Sequence, residues 1–174
     1  REGVAADGRH LFPAFPYTFY TRMTDADIAD LYAYLRTLKP VRYVPPENDA
    51  AFGLRWTMGA WKALNLESGA YRPDPAQSPE WNRGAYLVQG PGHCGACHTP
   101  RTWTLAAQSS APLRGAVMQD HVPGGSVRDW FAVDLAATKQ GLGAWTVQQI
   151  AEYLGKGASA RAGSFGPMNA VIAG

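Results

Sequence analysis

The chain has 174 residues, 46% of them apolar, with 16 basic against 14 acidic side chains for a net charge of +2. That is enough apolar material for one domain core, or one and part of another, and the balanced charge excludes nucleic acid as the main partner, since phosphate binding needs clustered Lys and Arg. No apolar run approaches the roughly 20 residues of a membrane span, while Gly 19 and Pro 13 mark a loop-rich chain.

The chain opens on REGVAADGRH, without an initiating Met or an apolar leader. It stops at NAVIAG and reads as the interior of a longer protein, with any export signal or anchor outside it. The first clear helix is TDADIADLYAYLRTL, residues 24–38. Thr24 and Asp27 have capping-box spacing. Ile28, Leu31, Tyr32, Leu35 and Leu38 form one stripe expected to be buried, and Pro40 ends the helix. Residues 40–80 are rich in Pro, Gly and Asn, with a short helical piece at 55–66, RWTMGAWKALNL. Its Trp56 and Trp61 are expected to form an amphipathic patch against a domain; cofactor contact is the other reading. The third helix is NRGAYLVQG, with Asn82 as its cap and Gly90-Pro91 as its stop. Gly84 inside it costs about 1 kcal/mol relative to Ala, a cost that close approach of another helix would offset. Little strand is expected, and GAVMQDHVPGG, residues 115–125, reads as loop. The last helix, TVQQIAEYLGKG, starts at Thr146, with Gln149 completing the cap, Ile150, Tyr153 and Leu154 as its stripe, and Gly155 or Gly157 as its stop.

The only two cysteines sit in GHCGACHTPR, residues 92–101. A redox dithiol is one reading, but such a motif follows a strand, and no alternating or β-branched run precedes Cys94. A zinc site is a second; it needs four ligands, usually with another Cys or His pair at similar spacing, and only His10, His93 and His121 remain. The third is covalent haem attachment through C-x-x-C-H. Cys94 and Cys97 lie on one side of a helical turn, so both sulfurs reach the two vinyl groups on one porphyrin edge. His98 then offers its imidazole to the iron, and Gly95 and Ala96 leave room for the ring. One cofactor explains all three residues.

An iron held by His98 has a sixth position, filled in electron-transfer sites by Met or a second His. Met118, His121 and Met168 are candidates. Met168, in GSFGPMNAV, is favoured, because flanking Gly and Pro suit a loop that crosses the distal face; core filling is the bland reading. His93 immediately precedes Cys94, is badly placed for the opposite face, and reads as structural.

The stretch WNRGAYLVQGPGHCGACHTPR, residues 81–101, resembles an internal haem domain of the multihaem cytochrome c subunits of periplasmic dehydrogenases. These subunits serve quinoprotein alcohol and gluconate dehydrogenases and the molybdenum hydroxylases of the nicotinate and isoquinoline type. Residues 10–41, HLFPAFPYTFYTRMTDADIADLYAYLRTLKPV, are similar to the end of a preceding haem domain. The resemblance implies a mainly α chain with a class I-like cytochrome c domain. Residues 1–41 would end a first cytochrome domain, 42–80 would be a linker with a short helix, and 81–174 a second domain lacking its C-terminal helix. Many relatives carry Met where this chain has Phe15, and Met23 beside the helix cap is a doubtful substitute, so no first-haem ligand is assigned.

The resemblance further implies haem c with its iron, covalent through Cys94 and Cys97 and ligated by His98 and Met168. Pro100 would orient the proximal imidazole through a carbonyl, and Arg101 would pair with a propionate unless it is an ordinary surface charge. Trp103 and Trp130 would pack on the porphyrin or in the core. The implied role is an electron relay without a catalytic centre of its own, from a dehydrogenase catalytic subunit (molybdenum hydroxylase or quinoprotein) to quinone or a terminal oxidase. The periplasmic face is implied, with membrane association through segments outside this chain. A peroxidase-type haem protein with an open distal site is the alternative, and a binding module with a fortuitous motif is another.

Overall fold

Capping chemistry sets where the helices begin in this mainly helical chain, whose computed structural model describes residues 1–44, 53–121 and 126–173. The chain divides into two units, Arg1–Ala96 and Cys97–Gly174. The first contains α1 (Tyr17–Tyr20), α2 (Asp25–Thr37), α3 (Leu54–Asn65) and α4 (Pro79–Gln89). The single turn α5 (Gly95–His98) spans the boundary. The second contains strands β1 (Ala116–His121) and β2 (Val127–Ala132), then α6 (Val147–Lys156) and α7 (Pro167–Ala173). Among the described residues, no helix is long and apolar enough to cross a membrane.

In the first unit, Thr24 caps α2 by accepting from the Asp27 amide at 3.1 Å. The box is not reciprocal, because Asp27 accepts instead from the Tyr86 hydroxyl. That hydroxyl also accepts from the Thr24 amide at 3.2 Å, so buried Tyr86 on α4 holds the start of α2. The expected stripe of α2 is not covered: Leu31, Tyr32, Leu35 and Leu38 are exposed and only Ile28 is half-buried. Periodicity reports which residues share a face, not whether another element lies against it.

The core of this unit is Tyr17, Met23, Met58 and Tyr86. The helical piece expected in a linker belongs to it. Lys62 Nζ on α3 donates to the carbonyls of Glu2 and Gly3 at 2.9 and 3.0 Å, and Trp61 meets Tyr17 edge-on at 6.4 Å. The buried face of α3 is Met58 and Lys62, whereas Trp56 is exposed, so the expected Trp56–Trp61 patch does not form. α4 begins a turn earlier than expected: Ser78 accepts from the Trp81 amide at 3.2 Å and Pro79 occupies the first turn, where its missing N–H is not needed. Asn82 lies within the helix and is committed elsewhere, accepting from the Tyr71 hydroxyl and the Asp74 amide at 2.8 and 2.7 Å. A Cβ on Gly84 would meet nothing within 4 Å, so no helix approaches there to compensate for it.

In the second unit the stretch read as loop forms an antiparallel hairpin, in register from Ala116↔Ala132 to His121↔Val127. Val, Trp and Phe suit strands, and such residues stand on both sides of Pro123-Gly124-Gly125 in the sequence. Met118 therefore pairs with Trp130; the His121 side chain lies outside the described residues. α6 follows expectation most closely. Thr146 accepts from the Gln149 amide at 3.2 Å, and the Gln149 side chain accepts from the Thr146 amide at 3.0 Å. Gly157 ends the helix at φ +75°, a conformation cheap only for glycine. Ile150 and Tyr153 are half-buried while Leu154 is exposed. Thr146→Ala is expected to destabilise this unit by ~1 kcal/mol, with Thr146→Ser close to the parent, measured by urea unfolding.

Candidate functional site

The approach to the cysteines is a tight exit from α4. The Gly90, Gly92 and Cys94 amides donate to the carbonyls of Tyr86, Leu87 and Val88 at 2.8, 2.8 and 3.2 Å. A Cβ on Gly92 would lie 2.7 Å from the Leu87 carbonyl oxygen, so only glycine makes this turn. His93 sits at φ +36° with its ring edge-on to Tyr20 at 5.4 Å. Cys94 is half-buried, and the single turn of α5 then carries Cys97 and His98. The two cysteines form no disulfide with each other. Cys97 is exposed as a residue, yet desolvation of its sulfur pushes the thiol pKa up, with the Arg101 charge pulling the other way. Desolvation likewise lowers the Arg101 pKa, opposed by Cys97.

His98 Nδ1 lies 2.8 Å from the Val133 carbonyl oxygen. A carbonyl only accepts, so Nδ1 carries the hydrogen and Nε2 keeps the lone pair. A metal-ligating imidazole needs that arrangement. The orienting carbonyl is therefore Val133, not Pro100, whose carbonyl accepts from the Gln108 amide at 2.8 Å. Arg101 is exposed and pairs through its backbone with Ala107.

Met168 is half-buried and is the second residue of α7, so it stands on a helix and not in a crossing loop. Pro167 starts that helix, in keeping with the preference of proline for a first turn. Directly before it, Gly166 adopts φ +57°, and a Cβ there would sit 2.6 Å from the Trp130 ring. Phe165 meets Trp130 at 6.1 Å between ring centroids. Trp130 thus braces the segment that carries Met168, a role the sequence signalled only by Gly-Pro before the methionine. Trp103, 93% exposed, packs in no core.

These residues fit a haem c on three observations. The buried residues of this unit are small, namely Thr99, Ala106, Gly115 and Ala116, while Leu105, Phe131, Phe165 and Trp103 are exposed; a large apolar disc suits them. The Trp130 indole N–H is buried without an acceptor among the described residues, a donor that suits an acidic haem edge. The donor set is two thiols, an imidazole with Nε2 available, and a thioether. Among the described residues no three His, Cys, Asp or Glu side chains converge as a metal cluster, whereas zinc needs four ligands.

No family model matches the chain. Individual proteins do. One subunit of the nicotinate dehydrogenase of Pseudomonas putida is 42% identical over 175 residues, 99% of this chain and 14% of the relative. The fructose dehydrogenase cytochrome subunit of Gluconobacter japonicus is 40% identical over 177 residues, 99% and 35%. The cytochrome c subunit of the quinone alcohol dehydrogenase of Gluconacetobacter polyoxogenes is 38% identical over 179 residues, 99% and 38%. The chain is homologous to the cytochrome subunits of dehydrogenases. It spans between 14% and 38% of the length of these three relatives. None of the three is named as a peroxidase, so the peroxidase alternative has no support among them.

Proposed function

We propose that this cytochrome segment binds one haem c through Cys94 and Cys97, that His98 and Met168 would hold its iron, and that the segment relays electrons. Cys94 and Cys97 would hold the group covalently through their sulfurs. The bound group supplies one-electron chemistry at its iron. The chain orients the proximal imidazole, braces the methionine segment with Trp130, and sets the polarity around the iron. The electron donor is a dehydrogenase catalytic subunit, a molybdenum hydroxylase or a quinoprotein, and the acceptor is quinone or a terminal oxidase. The relatives' names support this reading, three words in particular: cytochrome, dehydrogenase and quinone. Covalent haem attachment outside the cytoplasm supports a periplasmic location, and we extend this to the outer face of the cytoplasmic membrane. Residues 1–41 end a first cytochrome domain, 42–80 connect it to a second and carry α3, which packs on the first, and 81–174 form that second domain. Arg101 pairs with a propionate, alongside the Trp130 indole.

The observation that carries the reading is the C-x-x-C-H turn with His98 Nδ1 held on a carbonyl. Produced in a host that attaches haem, the chain is expected to gain the mass of one haem, and its ferric form to show the weak red band of thioether ligation. Met168→Ala should keep the mass and lose the band. A band that survives would remove Met168 as ligand, and a bare polypeptide mass would remove the haem.

A further inference from the structure

His98 and Val133 are 35 residues apart in sequence and meet only because of how the second unit closes. At the paired end of the hairpin, Ala116 opposes Ala132, which places Gly115 and Val133 side by side. The Gly115 amide donates to the main-chain carbonyl of His98 at 2.8 Å. Gly115 adopts φ +84°, and a Cβ on it would lie 2.9 Å from the Ala132 oxygen, 3.1 Å from the Asp134 nitrogen and 3.3 Å from the Val133 carbonyl carbon. One glycine therefore touches both the histidine and the backbone that carries its acceptor. A second fixture lies on the far side. The Asp134 carboxylate accepts from the Ala136 amide at 2.7 Å and from the Thr138 hydroxyl at 2.9 Å, and Arg114 Nε stands 3.3 Å from it. The Leu135 amide donates to the Leu113 carbonyl at 2.8 Å, and the Leu113 amide to buried Thr99 Oγ1 at 3.0 Å. Residues 113–115 and 133–135 are clamped to each other and to the residue after the histidine.

We propose that Gly115 and Asp134 are positioning residues for His98, holding the Val133 carbonyl on Nδ1 and so setting the basicity of the nitrogen left to ligate iron. The inference rests on the haem reading above. An accepted hydrogen from Nδ1 makes the imidazole a stronger donor, which favours ferric iron over ferrous. Loss of the carbonyl shifts the balance toward ferrous iron and raises the potential.

The test uses the full chain with haem attached. Gly115→Ala and Asp134→Ala are expected to retain covalent haem by mass and to shift the ferric/ferrous balance about tenfold toward ferrous, taking as scale the lower end of the losses in metal affinity or activity that follow removal of a ligand's partner. That is ~59 mV upward for a one-electron couple. Asp134→Asn keeps an acceptor for the Ala136 amide and should stay near the parent. Loaded Gly115→Ala and Asp134→Ala proteins with the parent potential would overturn the proposal. If Gly115→Ala does not fold, the Asp134→Ala and Asp134→Asn pair decides alone. If the parent itself takes up no haem, the haem reading fails, and the clamp is judged on the haem-free chain by imidazole nitrogen NMR. There His98 should be the Nδ1–H tautomer in the parent and a mixture in Gly115→Ala; identical tautomers in both would sink it.

Discussion

Replacing Cys94 and Cys97 together with Ser is expected to leave a polypeptide of bare mass whose second unit unfolds at much lower denaturant. The reason lies in what that unit buries. Its buried side chains are Thr99, Ala106 and Ala116, whereas Phe131, Phe165 and Leu105 are exposed. So little apolar burial supplies little of the roughly 25 cal/mol per Å² that drives folding. A tethered apolar group is attached in both states but buried only in the folded one, so it acts there like a ligand far above its dissociation constant, about 4 kcal/mol at a thousandfold excess. The loss should exceed that figure. Urea melts of the haem-loaded parent and the double variant, followed by far-ultraviolet dichroism, measure it. Equal midpoints would show that the second unit does not depend on the group. The first unit has its own core at Tyr17, Met23, Met58 and Tyr86, and should unfold alike in both proteins.

Gly166→Val is the second large effect expected. Gly166 is at φ +57° and its absent Cβ lies 2.6 Å from the rigid ring of Trp130. A β-branched residue there meets two penalties. The left-handed backbone costs about 1–3 kcal/mol, and overpacking against the indole costs about 1–3 kcal/mol. Because Met168 follows two residues later on α7, displacement of residue 166 also moves the thioether. The variant should lose about 2–6 kcal/mol of stability and, with haem attached, the red band. Trp130→Leu in the same chain opens space and should recover part of the steric loss but none of the backbone strain. The non-additive part of this double-mutant cycle reports the contact. A strictly additive cycle would show that Trp130 does not brace the methionine segment.

Caps and single-turn chemistry were readable because each depends on neighbours in the chain. Thr146 with Gln149 appears as expected, and so does Gly157 as the helix stop. Thr24 gives half of its box, because a long-range partner, Tyr86, takes the Asp27 carboxylate. Asn82 looked like a cap for the same local reason that Ser78 is one; the tie was broken by Pro79 and by the bonds of Asn82 to Tyr71 and Asp74. The hairpin at 116–132 differs from the loop expected there because composition along the chain says nothing of whether two neighbouring segments pair.

The C-x-x-C-H motif is written in five consecutive residues, Cys94 to His98. Cys97 and His98 lie on the single turn of α5 and Cys94 directly precedes it, so the spacing i, i+3, i+4 is set by local backbone geometry. Three things needed the folded chain: the exposure of the α2 stripe, the meeting of Gly166 with Trp130, and the choice of Val133 over Pro100 as acceptor for His98. Each is a distance between residues remote in sequence, and such distances follow from the pairing of Ala116 with Ala132 and from which elements lie against which. A period along the chain holds no record of either.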